Sequence, residues 1–179
     1  MKIAFYLGSF NPFHNGHLKV IETAFERDNM DKVVIVPTMQ SPWKYNKVLD
    51  FYKRASIIAL SIQSLIRSKH YNISIDFLER ELEAPYFSYK TLDNLKPLYN
   101  MDGTNELYFL CGKDTMDDIP DWAEGARIIS EWNFLIVDRP EGSISSTQIR
   151  DMVKVCKDIS PYVSKNTLKL INRFYYYDI

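Results

Sequence analysis

Ile3-Ala4-Phe5-Tyr6-Leu7-Gly8-Ser9-Phe10-Asn11-Pro12-Phe13-His14-Asn15-Gly16-His17-Leu18 changes its hydrophobic period twice within sixteen residues. Ile3 to Leu7 is a continuous apolar run that stops at Gly8, the pattern of a strand buried on both faces. A loop rich in Gly, Asn and Pro follows. From His17 the pattern is helical: Leu18, Ile21 and Phe25 share one face, with Val20 and Ala24 beside it. Val33 to Val36 is a second β-branched run, closed by Pro37. Strand, glycine loop, helix and strand form a βαβ unit, which requires parallel strands and a right-handed crossover.

The remaining chain continues the alternation. Thr38 to Lys47 reads as a loop carrying Lys44 and Lys47. Phe51, Ala55, Ile58, Ile62 and Leu65 then make the apolar stripe of a long helix. Tyr71 to Ile75 reads as a third strand, and Ser88 to Tyr99 as a helix stopped near Pro97 or Asn100. Glu106 to Cys111 reads as a strand ending at Gly112, Ala123 to Glu131 as a short helix, and Trp132 to Val137 as a strand closed by Pro140. Ser145 and Gln148 have capping-box spacing at the start of another helix. Val163, Leu170, Ile171 and Phe174 mark a closing helix. No internal repeat or linker-like stretch breaks the 179 residues. The expected fold is therefore α/β: one domain over 1–179, a single doubly wound, Rossmann-like parallel sheet with helices on both faces.

A chain of this length buries a core without cross-links. Its formal net charge of −1 gives no bulk reason to expect a nucleic-acid partner or a membrane surface. No apolar run is long enough to span a bilayer, and Gly8 interrupts the N-terminal run before it reaches signal-peptide length. Cys111 and Cys156 show no metal-binding spacing and are expected as two buried, reduced thiols in a cytoplasmic protein.

In an open α/β sheet, ligands bind beyond the carboxyl ends of the strands. The first strand delivers Gly8 to His17 there, the second Pro42-Trp43-Lys44, the fourth Gly112-Lys113-Asp114, and the fifth Arg139 and the turn Ser145 to Arg150. Gly8 permits close backbone approach. Gly16 begins a helix whose N–H groups and dipole favour an anion. His14 and His17 stand at the same helix mouth, where imidazoles donate to phosphate oxygens. No carboxylate or cysteine beside them suggests a metal set. Ser145, Ser146 and Thr147 crowd hydroxyls into a second helix N-terminus, with Arg150 one turn on. Two such termini facing one cleft suit a polyphosphate. Asp114 also reads as an ordinary helix cap, and Asp117, Asp118 and Asp121 as a solvated acidic turn. Trp122 reads by itself as a packing residue. Tyr175-Tyr176-Tyr177 fits either terminal-helix packing or a contact in a homo-oligomer, and the sequence leaves both open.

Together, Gly8-Ser9-Phe10-Asn11-Pro12-Phe13-His14-Asn15-Gly16-His17-Leu18 and Ile144-Ser145-Ser146-Thr147-Gln148-Ile149-Arg150 resemble the nucleotidyltransferase superfamily with HxGH and SSTxIR signatures. Within it, the chain looks most like the nicotinate/nicotinamide mononucleotide adenylyltransferases, over nearly its whole length. Ser41-Pro42-Trp43-Lys44 resembles that family's Pro-x-x-Lys-like loop. Tyr86 to Leu92 is a looser match to its SYTxxTL segment, and Phe109 to Asp114 is similar to its strand ending in GxD. The resemblance implies that Gly8, Ser9 and Phe10 line an ATP site and that His14 and His17 contact its phosphates. It places Lys44 between the two substrates, Gly112 and Asp114 at a ribose, and Ser146, Thr147 and Arg150 on the β- and γ-phosphates. It makes Trp122 a stack for a pyridine ring, with Ser88 and Thr91 close to the mononucleotide. Asn11 departs from the Asp common in bacterial members, and Phe87 and Ser88 stand for Tyr and Thr. Only Glu141-Gly142-Ser143 separates Arg139-Pro140 from Ile144, shorter than the family's usual insert.

The implied reaction joins ATP to nicotinate or nicotinamide mononucleotide and releases pyrophosphate, a step of NAD biosynthesis. The mononucleotide phosphate is already anionic and needs no general base. Mg²⁺ is expected on the substrates' phosphates rather than on a protein cage. The alternatives are a pantetheine-phosphate adenylyltransferase, which typically carries TxGH where His14-x-Gly16-His17 stands, and a non-catalytic nucleotide-sensing module.

Overall fold

The computed structural model describes residues 1–39, 48–138 and 143–177. In chain order its elements are β1 (Lys2–Gly8), α1 (Asn15–Glu26), β2 (Lys32–Pro37), α2 (Phe51–Lys69), β3 (Ile73–Ile75), α3 (Ser88–Tyr99), β4 (Glu106–Cys111), α4 (Lys113–Asp118), α5 (Gly125–Glu131), β5 (Asn133–Ile136), α6 (Ser146–Lys154) and α7 (Leu168–Tyr177). The strands form one sheet in the order β3-β2-β1-β4-β5. Every pairing is parallel, with Ala4 opposite both Val33 and Tyr108.

Strand periodicity separates two cores. Ala4, Tyr6, Val33, Ile35 and Leu110 face one side, where Val20, Ile21 and Ala24 of α1, Ile57, Ile58 and Ile62 of α2, Ile149 and Val153 of α6, and Ile171 and Tyr175 of α7 pack. Ile3, Phe5, Val34, Val36, Phe109 and Cys111 face the other, under Leu92 and Leu95 of α3 and Ile128 of α5. Both faces are covered, which is why the central strands read as unbroken apolar runs. The expected doubly wound sheet is present.

Several boundaries differ from expectation. α1 begins at Asn15 rather than His17 because His14 caps it. β3 is only Ile73–Ile75, since Tyr71 leaves the ladder to stack on Phe25 at 4.3 Å. α3 spans Ser88–Tyr99 as expected, with Pro97 inside it. Its last turn is held from outside: Leu95 is buried, and Tyr99 packs edge-on against Phe5 and donates to Asp76 at 2.7 Å. α4 went unread because it is six residues long and buries none of them, so it has no apolar stripe. Its cap is Gly112, not Asp114, which lies in the first turn.

Only one of the two cysteines is buried as expected. Burial pushes the Cys111 thiol up to about 12, whereas Cys156 is exposed on a residue with φ 53°. Trp132 belongs to the core, edge-on to Phe5, while Asp117, Asp118 and Asp121 are exposed. Among the described residues no helix is long and apolar enough to cross a membrane.

Candidate active site

The chain leaves β1 toward β2 on one side, and β4 takes up the sheet on the other. This reversal opens a crevice beyond Gly8 and Cys111, the place where open α/β sheets bind ligands. The loop from β1 folds tightly into it. Phe10 adopts φ 46° and turns its ring back over the strand end, 5.2 Å from Tyr6 and 5.1 Å from His17. A Cβ on Gly8 would sit 3.0 Å from that ring. Gly8 is therefore explained by the Phe10 turn as well as by approach to a ligand.

His14 and His17 cap α1 reciprocally. His14 Nδ1 accepts from the Gly16 N–H at 3.1 Å, and His17 Nδ1 accepts from the His14 N–H at 3.1 Å. This is a capping box built from two imidazoles. Each Nδ1 is an acceptor, so in the neutral ring Nε2 carries the hydrogen. Both rings thereby become N–H donors at the positive end of a helix. Their centroids lie 3.8 Å apart, and Phe13 stacks on His17 at 5.0 Å. His14 and His17 are both buried. A Cβ on Gly16 would press on His14 Cε1 at 2.9 Å, which explains the glycine between them.

The late turn meets this loop directly. Ser145 Oγ accepts from Gln148 N and Gln148 Oε1 accepts from Ser145 N, the capping box expected there. Ser146 Oγ donates to Pro12 O at 2.9 Å, across 134 residues of sequence. Arg150 Nη1 donates to Asn11 O at 2.6 Å, and Nη2 to Thr147 Oγ1 at 3.0 Å. The N-termini of α1 and α6 thus lie side by side, and Arg150 bridges them.

On the β4 side, the exposed Asp114 curls back under Gly112 so closely that a Cβ there would collide with its carboxylate. The half-buried Trp122 packs 6.5 Å from Phe109, with its backbone N–H on Ile119 O at 3.0 Å. Ser88 is half-buried at the start of α3. Thr91 is fully buried, and its hydroxyl donates to Glu79 Oε1 at 2.8 Å. Lys44, with Pro42 and Trp43, and Arg139-Pro140 lie outside the described residues, as does most of the short segment before Ile144.

Three buried residues with polar groups lie behind the loop; two, Arg54 and Glu79, escaped the sequence reading, and for Tyr175 helix packing was one of the two alternatives left open. Arg54, 1% exposed, donates to three carbonyls: Leu49 O at 2.8 Å, Ser9 O at 2.6 Å and Met39 O at 3.3 Å. It ties the ends of β1 and β2 to the start of α2. Glu79, also 1% exposed, accepts from Met39 N at 2.6 Å. The Met39 peptide is therefore held at its carbonyl by a cation and at its N–H by a carboxyl group. Burial lowers the Arg54 guanidinium below its ordinary range, offset in part by Tyr175, Asp50 and Glu79, and raises the Glu79 carboxyl above the usual one, offset in part by its bonds from Met39 and Thr91 and then by Arg54. The third residue, Tyr175, donates to Asn11 Oδ1 at 2.7 Å. A signal for Arg54 was available. It sits three residues after Phe51 and four before Ile58, inside the apolar stripe of α2. Glu79 belongs to a single 3-10 turn and carried no periodic signal.

The sequence matches the cytidylyltransferase-like family over residues 5–164. It is 28% identical to a Fusobacterium nucleatum protein named "Probable nicotinate-nucleotide adenylyltransferase", covering 98% of this chain and 99% of the relative. It is 27% identical to the nicotinate-nucleotide adenylyltransferase of Bacillus subtilis, over 93% of this chain and 97% of that one. Among solved structures, the Plasmodium falciparum nicotinic acid mononucleotide adenylyltransferase complexed with NaAD superposes with a TM-score of 0.75 at 21% identity, over 99% of this chain and 97% of the other. At that identity the superposition speaks for the fold.

Proposed function

The chain belongs to the cytidylyltransferase-like family, and from that premise we propose that it is an adenylyltransferase of NAD biosynthesis, joining ATP to nicotinate mononucleotide. The observation that carries this reading is the meeting of two helix N-termini at the sheet's switch point, one lined by paired imidazoles and the other by Ser146, Thr147 and Arg150. Such a crevice offers donors from two directions to a polyphosphate. The relatives named above, matched over nearly their whole length, support the pyridine mononucleotide as the second substrate.

The mononucleotide phosphate attacks the α-phosphorus of ATP. The bond from that phosphorus to the bridging oxygen breaks, and pyrophosphate leaves with the electron pair. A phosphate monoester near neutral pH is a sufficient nucleophile, so the protein's work is alignment and charge stabilisation. Gly8, Ser9 and Phe10 line the ATP site. His14 and His17 donate through Nε2 to its phosphates, and Ser146, Thr147 and Arg150 hold the β- and γ-phosphates. Lys44 neutralises charge between the substrates, Gly112 and Asp114 hold the ribose, and Trp122 stacks on the pyridine ring beside Ser88. Thr91 supports that side from within, through Glu79. The groups assigned to the phosphates are N–H and O–H donors. They fit a Mg²⁺ ion carried on phosphate oxygens and water, where it would neutralise developing charge. Residues 1–179 act as one domain, and the two free thiols suit a reducing cytoplasm.

Purified protein mixed with ATP, Mg²⁺ and nicotinate mononucleotide is expected to release pyrophosphate and form the dinucleotide. Parallel arms with nicotinamide mononucleotide and 4′-phosphopantetheine are expected to run slower. Release confined to the phosphopantetheine arm, or none in any arm, overturns the reading. Trp122→Ala is expected to raise KM for the mononucleotide about tenfold, the size of one aromatic stack of about 1.4 kcal/mol. KM for ATP should stay within twofold. An unchanged mononucleotide KM in steady-state assays would remove Trp122 from the pyridine pocket.

A further inference from the structure

Tyr175 is the first member of the tyrosine run near the C-terminus, and it lies wholly inside the protein at 1% exposure. Its ring packs with Ile171 in the core beneath α1, α2 and α6. Phenylalanine would satisfy that packing. The hydroxyl needs its own explanation, because a buried polar group without a partner is destabilising. Its partner is Asn11 Oδ1 at 2.7 Å, an atom that also accepts from Leu49 N at 3.3 Å. Asn11 is itself buried.

Asn11 occupies an unusual place in the loop. It follows Phe10, held in the left-handed region at φ 46°, and precedes Pro12, which has no N–H. The Asn11 side chain is held from outside, by Tyr175 of α7 and by Leu49 just before α2. The same residue presents its main-chain oxygen to Arg150 Nη1, and the next presents Pro12 O to Ser146 Oγ. A shift of Asn11 displaces both groups assigned to the triphosphate. The residues assigned to the mononucleotide among the described ones, Ser88 and Trp122, pack from α3 and the α4–α5 connection, over the opposite face of the sheet.

We infer that Tyr175 is a positioning residue for the ATP half of the reaction: through Asn11 it sets where Arg150 and Ser146 stand, and so couples the C-terminal helix to phosphate handling. The inference rests on the adenylyltransferase reading above, and wild-type protein run in the same assay separates the two. If wild type forms no dinucleotide, that reading fails first.

The experiment compares wild type, Tyr175→Phe, Asn11→Leu and Asn11→Asp in steady-state assays with each substrate varied in turn. Tyr175→Phe removes one oxygen and is expected to lower kcat/KM for ATP about tenfold, the scale of one well-shielded hydrogen bond. KM for the mononucleotide should remain within twofold. Asn11→Leu, similar in shape but without the acceptor, should show the same split. Asn11→Asp keeps the acceptor and should stay within threefold of wild type. Adding Tyr175→Phe to Asn11→Leu should cost less than twofold more, since the bond is already gone. Should Tyr175→Phe fail to fold, the Asn11→Leu and Asn11→Asp pair decides alone. Unchanged ATP kinetics, equal damage to both substrates, or Leu and Asp variants that behave alike would each overturn the inference.

Discussion

His17→Ala is expected to lower kcat by about 10²–10³, the range for removing one preorganised donor from a transition state that develops charge. The structure gives the reason. His17 Nδ1 is committed to the His14 N–H, so Nε2 is the donor end of the ring. That donor is fixed in place by Phe13 stacked on its face and Phe10 against its edge, and it needs no reorganisation as charge builds on the phosphates. Alanine also removes half of the capping box, which should cost about 1 kcal/mol of stability. The two effects separate cleanly. Thermal unfolding should shift by a few degrees, whereas turnover at saturating substrates should collapse with KM for ATP changed far less. A purified, folded variant with near-normal pyrophosphate release would sink the role given to His17.

Arg54→Met is expected to be the most damaging change to stability near the site. It keeps much of the side-chain volume but removes every donor to Leu49 O, Ser9 O and Met39 O, all at a buried position. It also leaves the buried Glu79 carboxyl without the cation that favours its ionised form. Leaving several buried carbonyls unpaired costs about 3–5 kcal/mol in all, because they remain desolvated. Chemical denaturation should show a much lower midpoint with an unchanged slope. Arg54→Lys should recover only part of the loss, since one ammonium cannot reproduce a planar fork reaching three carbonyls. A methionine variant as stable as wild type would mean that these bonds contribute nothing net.

The candidate site was legible where local rules place its groups. HxGH marks a helix start, Ser145 and Gln148 mark another, and Gly16 is required by the His14 ring lying against it. Those features depend on residues within a turn of one another. The supporting groups were not legible, because each bond joins distant segments. Arg54 reaches back 45 residues to Ser9, and Tyr175 reaches 164 residues to Asn11. Thr91 shows the same limit: its place in a family-like segment gave no sign that its hydroxyl bonds Glu79, twelve residues back.

Hydrophobic period and the glycine loop were enough to establish an all-parallel α/β sheet with helices on both faces, because strand and helix periods are local properties of the chain. The same local reading found both anion-ready helix mouths. That they face one cleft was expected from their places at the strands' carboxyl ends; which atoms join them was not. The joining atoms follow from the strand order β3-β2-β1-β4-β5 and from α6 and α7 returning to the α1 face, which bring Ser146 and Arg150 onto the Asn11–Pro12 backbone. The local reading also could not say that Tyr175 points inward. Burial of a hydroxyl is decided by what packs around it, and here that surrounding is assembled from both ends of the chain.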